Sequence, residues 1–318
     1  MRKTGNRSDA PLLLPPGRRP RVLLLGNGLN RVFGGASWTG LLREINRTHF
    51  TTEQVRSLPF PLQAVLLSDD HVDQSLKSLQ RKLTACEMHP WLEGQLKKLL
   101  DPPFDAILTA NFTYELEYAA DPAFGAIPYR ARRYRRHTRA VSQAEKWFML
   151  STYYDLPIGS GRTVPLFHIH GEALKPDTVI LGHYYYGNLL FRYDDYLTRY
   201  APGQSYRDRM TPDGLEVLSW LDYFILGDVY TVGFGFDVSE MDLWWLLCRK
   251  KRERAAHGSV LFFEPDRTSA ETKNALLNAY GVKRFPLGAR DLKSSDYQEF
   301  YERAVNEIVR RMQEKGHL

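Results

Sequence analysis

The chain has 318 residues, 43% hydrophobic and 13% aromatic, enough to bury a large core as one domain or as one domain carrying an insertion. A net charge of +6 and a pI near 9.1 favour anionic partners in general without identifying one. No run approaches the roughly 18 apolar residues of a membrane span, Met1–Pro20 lacks the apolar segment of a signal peptide, and Cys86 and Cys248 make neither a disulfide framework nor a zinc site, so a cytoplasmic enzyme without a metal or a membrane partner is expected.

In chain order, residues 1–20 read as a disordered basic tail, with Pro15-Pro16 before the first strand, and the fold is expected to start at Arg21. Arg21-Val-Leu-Leu-Leu-Gly-Asn-Gly-Leu-Asn30 is an apolar strand, buried on both faces, that breaks into two glycines and two asparagines. Trp38, Leu41, Leu42 and Ile45 then mark one face of a helix. Gly26 and Gly28 allow positive φ and close backbone approach, and the amides of such a turn can hold a pyrophosphate. The Gly-x-Gly-x-x-Gly fingerprint is incomplete, because Arg31 stands in the third position.

Residues 46–100 carry leucines at three- and four-residue spacing and read as mainly helical. Strands are expected at Ala106–Thr109, Leu166–Ile169, Val179–Leu181, Tyr230–Gly233, Val260–Phe263 and Val282–Phe285. Helices are expected with Val238, Met241, Trp244, Trp245 and Cys248 on one face, with Ala275, Leu276 and Tyr280 on another, and over Phe300–Met312. Strands alternating with helices imply an α/β fold, a Rossmann-like parallel sheet flanked by helices, with ligands beyond the carboxyl ends of the strands. Stretches at 121–163 and 184–214 read as insertions or lids. Arg130–Arg139, dense in arginine with Tyr134 and His137, is either a grip for nucleic acid phosphates or a solvated face.

Four segments carry the chemistry. Asn111 stands where a strand runs into a helix, and its amide suits a ribose or a held water, or else caps the helix. In Phe167-His-Ile-His-Gly171, alternation puts His168 and His170 on one face, and Gly171 leaves room for a ligand. A neutral imidazole there suits a general base; core histidines or a metal pair are the rival readings. In Thr231-Val-Gly-Phe-Gly-Phe-Asp-Val-Ser-Glu-Met-Asp242, Gly233 and Gly235 suggest backbone close to a ligand, while Ser239 and Asp242 resemble an N-cap and a first-turn acid. Glu264 ends a strand with a carboxylate of the kind that grips a ribose hydroxyl, or lies on the surface.

In order and spacing, Gly26-Asn-Gly-Leu-Asn30 with Trp38, Thr109-Ala-Asn111, His168-Ile-His-Gly171, and Gly233-Phe-Gly235 with Asp242 resemble the bacterial sirtuin-like domains of anti-phage defence proteins. The Gly-Asn-Gly opening and Ile180-Leu-Gly-His183 are also similar to the abortive-infection H family. The resemblance implies an NAD site and cleavage of the nicotinamide–ribose bond. It implies Asn111 and His170 as catalytic residues, Gly26, Asn27, Gly28 and Asn30 at the pyrophosphate and ribose, and Gly233, Gly235, Asp242 and Glu264 on the cofactor-binding side. The chain departs from the family at Thr113, where an aspartate is frequent, and it has no four-cysteine zinc module.

The expected route is dissociative. Neutral nicotinamide leaves an oxocarbenium-like ribose, water captures it, and His170 removes a proton. Because uncontrolled NAD loss poisons a cell, gating by a homo-oligomer or by a partner that senses infection is expected. A catalytically weak nucleotide-sensing or nucleic-acid-binding subunit is the alternative from another class.

Overall fold

A computed structural model describes residues 12–14, 18–35, 37–84, 88–127, 132, 134–136, 148–200, 210–211, 214–253, 258–267, 270–288 and 291–315. The fold is α/β. An eight-stranded sheet has the order β11-β10-β9-β2-β3-β6-β5-β4. Its strands are β2 (Arg21–Leu25), β3 (Ala106–Thr109), β4 (Tyr134–Arg136), β5 (Thr152–Ile158), β6 (Arg162–His168), β9 (Asp228–Val232), β10 (Val260–Pro265) and β11 (Val282–Leu287).

Strands β6, β3, β2, β9, β10 and β11 are mutually parallel, and β5 and β4 extend the β6 edge antiparallel. Renumbered by appearance, the parallel strands follow the doubly wound order 3-2-1-4-5-6, which places the topological switch between β2 and β9. The apolar runs fit this location, because strands covered on both faces need no polar side. Val22, Leu24, Leu108, Phe167, Val229 and Phe262 pack beneath helices His183–Tyr200, Trp220–Leu226 and Met241–Arg252. Leu23, Leu25, Ile107, Leu166, Tyr230 and Phe263 pack beneath helices Pro90–Leu100, Glu115–Ala120 and Tyr297–Lys315.

Pairing aligns Leu25 with Thr109 and with Val232, and Thr109 with His168. The chain therefore leaves four adjacent strands from one row, and the segments that follow share one edge of the sheet.

Several expectations need correction. Leu12–Leu14 is not tail: it forms β1, antiparallel to β8 (Gly214–Val217) in a three-stranded sheet with β7 (Met210–Thr211), and Leu14 is buried in the core. The stretch 121–163 contains β5, an integral strand. The stretch 184–214 contains most of helix His183–Tyr200, whose Leu189, Tyr193 and Leu197 are core residues rather than parts of a lid.

Val179–Leu181 forms no strand. It follows the short 3-10 helix Pro176–Thr178 and pairs with no strand among the described residues. Helix Met241–Arg252 buries Leu243, Leu246, Leu247 and Lys250; of the expected face, Trp244 and Trp245 pack partly against the core, whereas Val238 and Met241 are exposed. Likewise helix Glu271–Ala279 buries Leu277 and exposes Leu276. The leucine-spaced region 46–100 does hold helices Phe60–Leu67, Val72–Thr84 and Pro90–Leu100, and the C-terminal periodicity belongs to Tyr297–Lys315. No helix among the described residues is long and apolar enough to cross a membrane.

Candidate functional site at the switch between β2 and β9

The first loop of the row closes onto the fourth. Gly26 and Gly28 donate their amides to the carbonyls of Val232 and Gly233, both at 2.9 Å, so neither amide faces a phosphate. Neither glycine has positive φ. A methyl at Gly26 would stand 2.5 Å from the Gly233 carbonyl oxygen, and one at Gly28 would collide with the Tyr301 hydroxyl. Their missing side chains let β2 meet β9. Gly233 does adopt positive φ (81°) beside Gly26, whereas Gly235 faces open space.

Asn27 is half-buried in the turn. Asn30 is only 3% exposed, and neither its Nδ2 nor its Oδ1 has a partner among the described residues. Leaving one buried polar group unmet costs about 1–3 kcal/mol, so an unpaired buried amide in a strand-end loop marks a place for a ligand or water.

Asn111 is in the same condition: it is buried, with Oδ1 unpartnered among the described residues. It does not cap the next helix, since Tyr114 occupies the cap position of Glu115–Ala120. Its backbone is fixed from both sides. The N–H donates to Thr109 Oγ1 at 3.1 Å, and the carbonyl accepts His168 Nδ1 at 2.8 Å. His168 Nε2 meets Glu117 Oε1 at 2.8 Å.

With a carbonyl and a carboxylate as its two acceptors, the His168 ring carries protons on both nitrogens. Burial pulls its pKa down most strongly, but the charge and hydrogen bond of Glu117, the charge of Glu172 and the Asn111 carbonyl together raise it to about 9. His168 is therefore the core histidine of the two rival readings, and it positions Asn111. A pKa raised by folding stabilises fully below about 6.5, and that stabilisation fades as pH climbs through about 9. His168 is expected to account for a loss on the order of 3 kcal/mol over that interval, and His168→Gln to flatten the slope by that amount, in urea titrations at stepped pH.

β6 ends at His168, so strand alternation does not extend to His170. The chain turns through Gly171, with φ of 85°, where the Thr178 carbonyl fills the space a side chain would need, so that room is not open to a ligand. The turn sends the two imidazoles to different partners. His170 Nε2 donates to Asp242 Oδ2 at 2.7 Å, and the Tyr193 hydroxyl lies 3.5 Å from the same oxygen. His170 is 5% exposed and Asp242 fully buried, and the Tyr186 ring stands edge-on to the imidazole at 5.8 Å.

Burial lowers the His170 pKa, but the charge and hydrogen bond of Asp242, with Glu240 behind it, outweigh burial and raise it. Glu240, pressed by burial and by Asp242, is pushed up to about 7. Nδ1 of His170 has no protein partner among the described residues, so the pair presents a lone pair of raised basicity. Asp242, expected on the cofactor side, is the partner of His170. No local signal reveals that role, because the two residues lie 72 positions apart.

The remaining expectations fare unevenly. Glu264 does end β10 and is buried, but its Oε1 is taken by Arg284 Nε and its Oε2 lies 4.0 Å from Lys273 Nζ, which also donates to the Gly235 carbonyl at 2.8 Å. It is engaged by cations rather than free for a ribose. Ser239 is no cap: its hydroxyl donates to Asp237 Oδ1 at 2.6 Å, and Glu240 precedes the helix. Most of Arg130–Arg139 lies outside the described residues, but the Arg132 guanidinium sits 3.9 Å from the centre of the Phe124 ring, and Tyr134–Arg136 form the edge strand β4. Among the described residues no group of His, Cys, Asp or Glu side chains converges as a metal site. Compared with protein-family models and with curated proteins, the chain matches none.

Proposed function

We propose that this chain cleaves the bond between nicotinamide and ribose in NAD and passes the ribosyl carbon to water. The observation that carries the reading is the buried His170–Asp242 pair, with Nδ1 unpartnered among the described residues, in the segment after β6, next to the segment after β3 that carries Asn111 with its buried Oδ1 unpartnered. The resemblance to sirtuin-like domains, residue by residue at Asn111 and His170, supports it.

In this mechanism the glycosidic electron pair leaves with nicotinamide, neutralising its ring cation. The positive charge passes to the ribose, and a water held by the Asn111 amide adds to the anomeric carbon. His170 Nδ1 accepts the proton that water gives up, and Asp242 stabilises the resulting imidazolium. Asn30 is suited to ribose or phosphate oxygens. Depletion of NAD as an anti-phage response, gated by self-assembly or a partner, belongs to the same proposal.

A nucleotide-sensing subunit without turnover is the second reading. Thr113 favours it, because its hydroxyl is spent on Glu115 at 2.5 Å where the resembled family frequently has an aspartate. Incubating the purified chain with NAD separates the two. Release of nicotinamide matched by ADP-ribose is the expected result, and saturable NAD binding with no nicotinamide released would overturn hydrolysis in favour of sensing.

A further inference from the structure

We propose that Tyr193 is a positioning residue, the third member of a buried Tyr193–Asp242–His170 array, whose hydroxyl holds the Asp242 carboxylate and limits how tightly His170 keeps a proton. Its meaning for catalysis rests on the hydrolytic reading; its effect on His170 does not.

Asp242 is fully buried in the first turn of Met241–Arg252, and both hydrogen bonds to its carboxylate among the described residues fall on Oδ2. His170 Nε2 donates at 2.7 Å and the Tyr193 hydroxyl at 3.5 Å, while Oδ1 is buried without a partner among the described residues. Conversely, Tyr193 has no exposed surface, and Asp242 is the hydrogen-bond partner of its hydroxyl. A buried phenol needs an acceptor, and a buried carboxylate needs every donor within reach.

Packing aims the phenol. Its ring stands edge-on to Trp220 at 5.3 Å and tilted against Trp245 at 6.2 Å, one turn beyond Asp242 on the same helix. Tyr186 lies about two turns before Tyr193 on helix His183–Tyr200. One face of that helix thus meets both members of the pair, Tyr186 against the imidazole and Tyr193 against the carboxylate.

The titratable groups facing His170 are Asp242 and Glu240 from the start of helix Met241–Arg252, with Tyr186 and Tyr193 from helix His183–Tyr200. On its own segment, His168 turns to Glu117 and Glu172 to Tyr114. While the imidazole is neutral, the Asp242 charge is met by two neutral donors. Once Nδ1 takes a proton, the imidazolium itself compensates the carboxylate. Loss of the Tyr193 hydroxyl therefore destabilises the neutral-ring state more, and the ring holds its proton more tightly.

The test follows that proton directly. With isotope-labelled histidine, the His170 resonance, identified by its loss in His170→Gln, is titrated by NMR in the parent, Tyr193→Phe and Tyr196→Phe. Tyr193→Phe keeps the ring and its packing. Tyr196→Phe is the control, since it removes a buried phenol hydrogen bond of 2.8 Å from the same helix to a different carboxylate, Asp222. Tyr193→Phe should raise the midpoint by about one pH unit, and Tyr196→Phe should leave it in place. An unchanged or lowered midpoint in Tyr193→Phe would overturn the array, as would an equal rise in Tyr196→Phe.

Nicotinamide release is read separately across pH. In Tyr193→Phe the rising limb of kcat/KM for NAD should move up with the midpoint, about tenfold lower on the limb and unchanged at the high-pH plateau. A merely structural loss would lower the plateau instead. A midpoint that rises while the rate profile of an active enzyme stays fixed would remove Tyr193 from the reaction. A midpoint that rises in a protein releasing no nicotinamide refutes hydrolysis and upholds the array.

Discussion

Replacing His170 with alanine is expected to slow nicotinamide release about 10²–10⁴-fold, the range a positioned general base contributes. The fold should tolerate the change, since the ring occupies a turn beyond the end of β6 rather than the strand itself. The more telling variant is Asp242→Asn. The native carboxylate can only accept from Nε2, which keeps the basic lone pair on Nδ1. An asparagine amide can donate to Nε2 instead, moving the ring proton to Nδ1 and removing the base.

A similar loss, about 10²–10⁴-fold, is therefore expected with almost no change in side-chain volume. The pH profile distinguishes this from simple disruption. A general base acts when unprotonated, so the wild-type rate should rise with pH through the raised pKa of His170. In Asp242→Asn, the residual activity should rise at lower pH, because the charge that raised the pKa is gone. An Asp242→Asn enzyme with wild-type rate and profile would remove His170 from the mechanism.

The largest effect on stability is expected from Lys250→Met. At the opposite edge of the sheet, the buried Lys250 ammonium donates to the carbonyls of Phe224, Ile225 and Gly227 at 2.7, 2.8 and 2.7 Å. These close the end of helix Trp220–Leu226, every residue of which is buried. The final carbonyls of a helix have no intrahelical donor, and here the lysine supplies it.

Methionine fills the volume but leaves these acceptors unmet, at about 1–3 kcal/mol each. Part of that is offset because no ammonium has to be desolvated, for a net loss of about 3–5 kcal/mol. The change should lower the urea midpoint with little change in slope, while the refolded fraction keeps the specific activity of the wild type. A loss below about 1 kcal/mol would show that the acceptors find other donors.

How far the fold can be read from the residues depends on the distance over which each choice is made. Ala106–Thr109 emerges with its own bounds, since an apolar run meeting Asn111 is a local signal, and the apolar run Val22–Leu25 likewise marks the strand Arg21–Leu25. Leu12–Leu14 is invisible for the opposite reason: between prolines, it becomes a strand only by pairing with Leu215–Val217, far along the chain. Likewise β5, rich in tyrosine, is stabilised by pairing along its length with β6.

In Met241–Arg252 the most deeply buried stripe carries Asp242 and Lys250 beside Leu243, Leu246 and Leu247, and those two charged residues hide it from an apolar periodicity. At the site, residue types and strand ends were legible, but the partnerships were not. His168 with Glu117, His170 with Asp242, and the glycines with each other rather than with a ligand are all tertiary choices.

The closure of Gly26 and Gly28 on Val232 and Gly233 has a consequence for how the proposed nucleotide site can diversify. Where main-chain groups do the holding, altering ligand preference means rebuilding the loop and endangering the sheet beneath it. Here the seam is sealed by the protein itself, which leaves recognition to interchangeable side chains around a rigid join. On the proposed reading, such a site can change what it selects one residue at a time, without loosening the join between the two halves of the sheet.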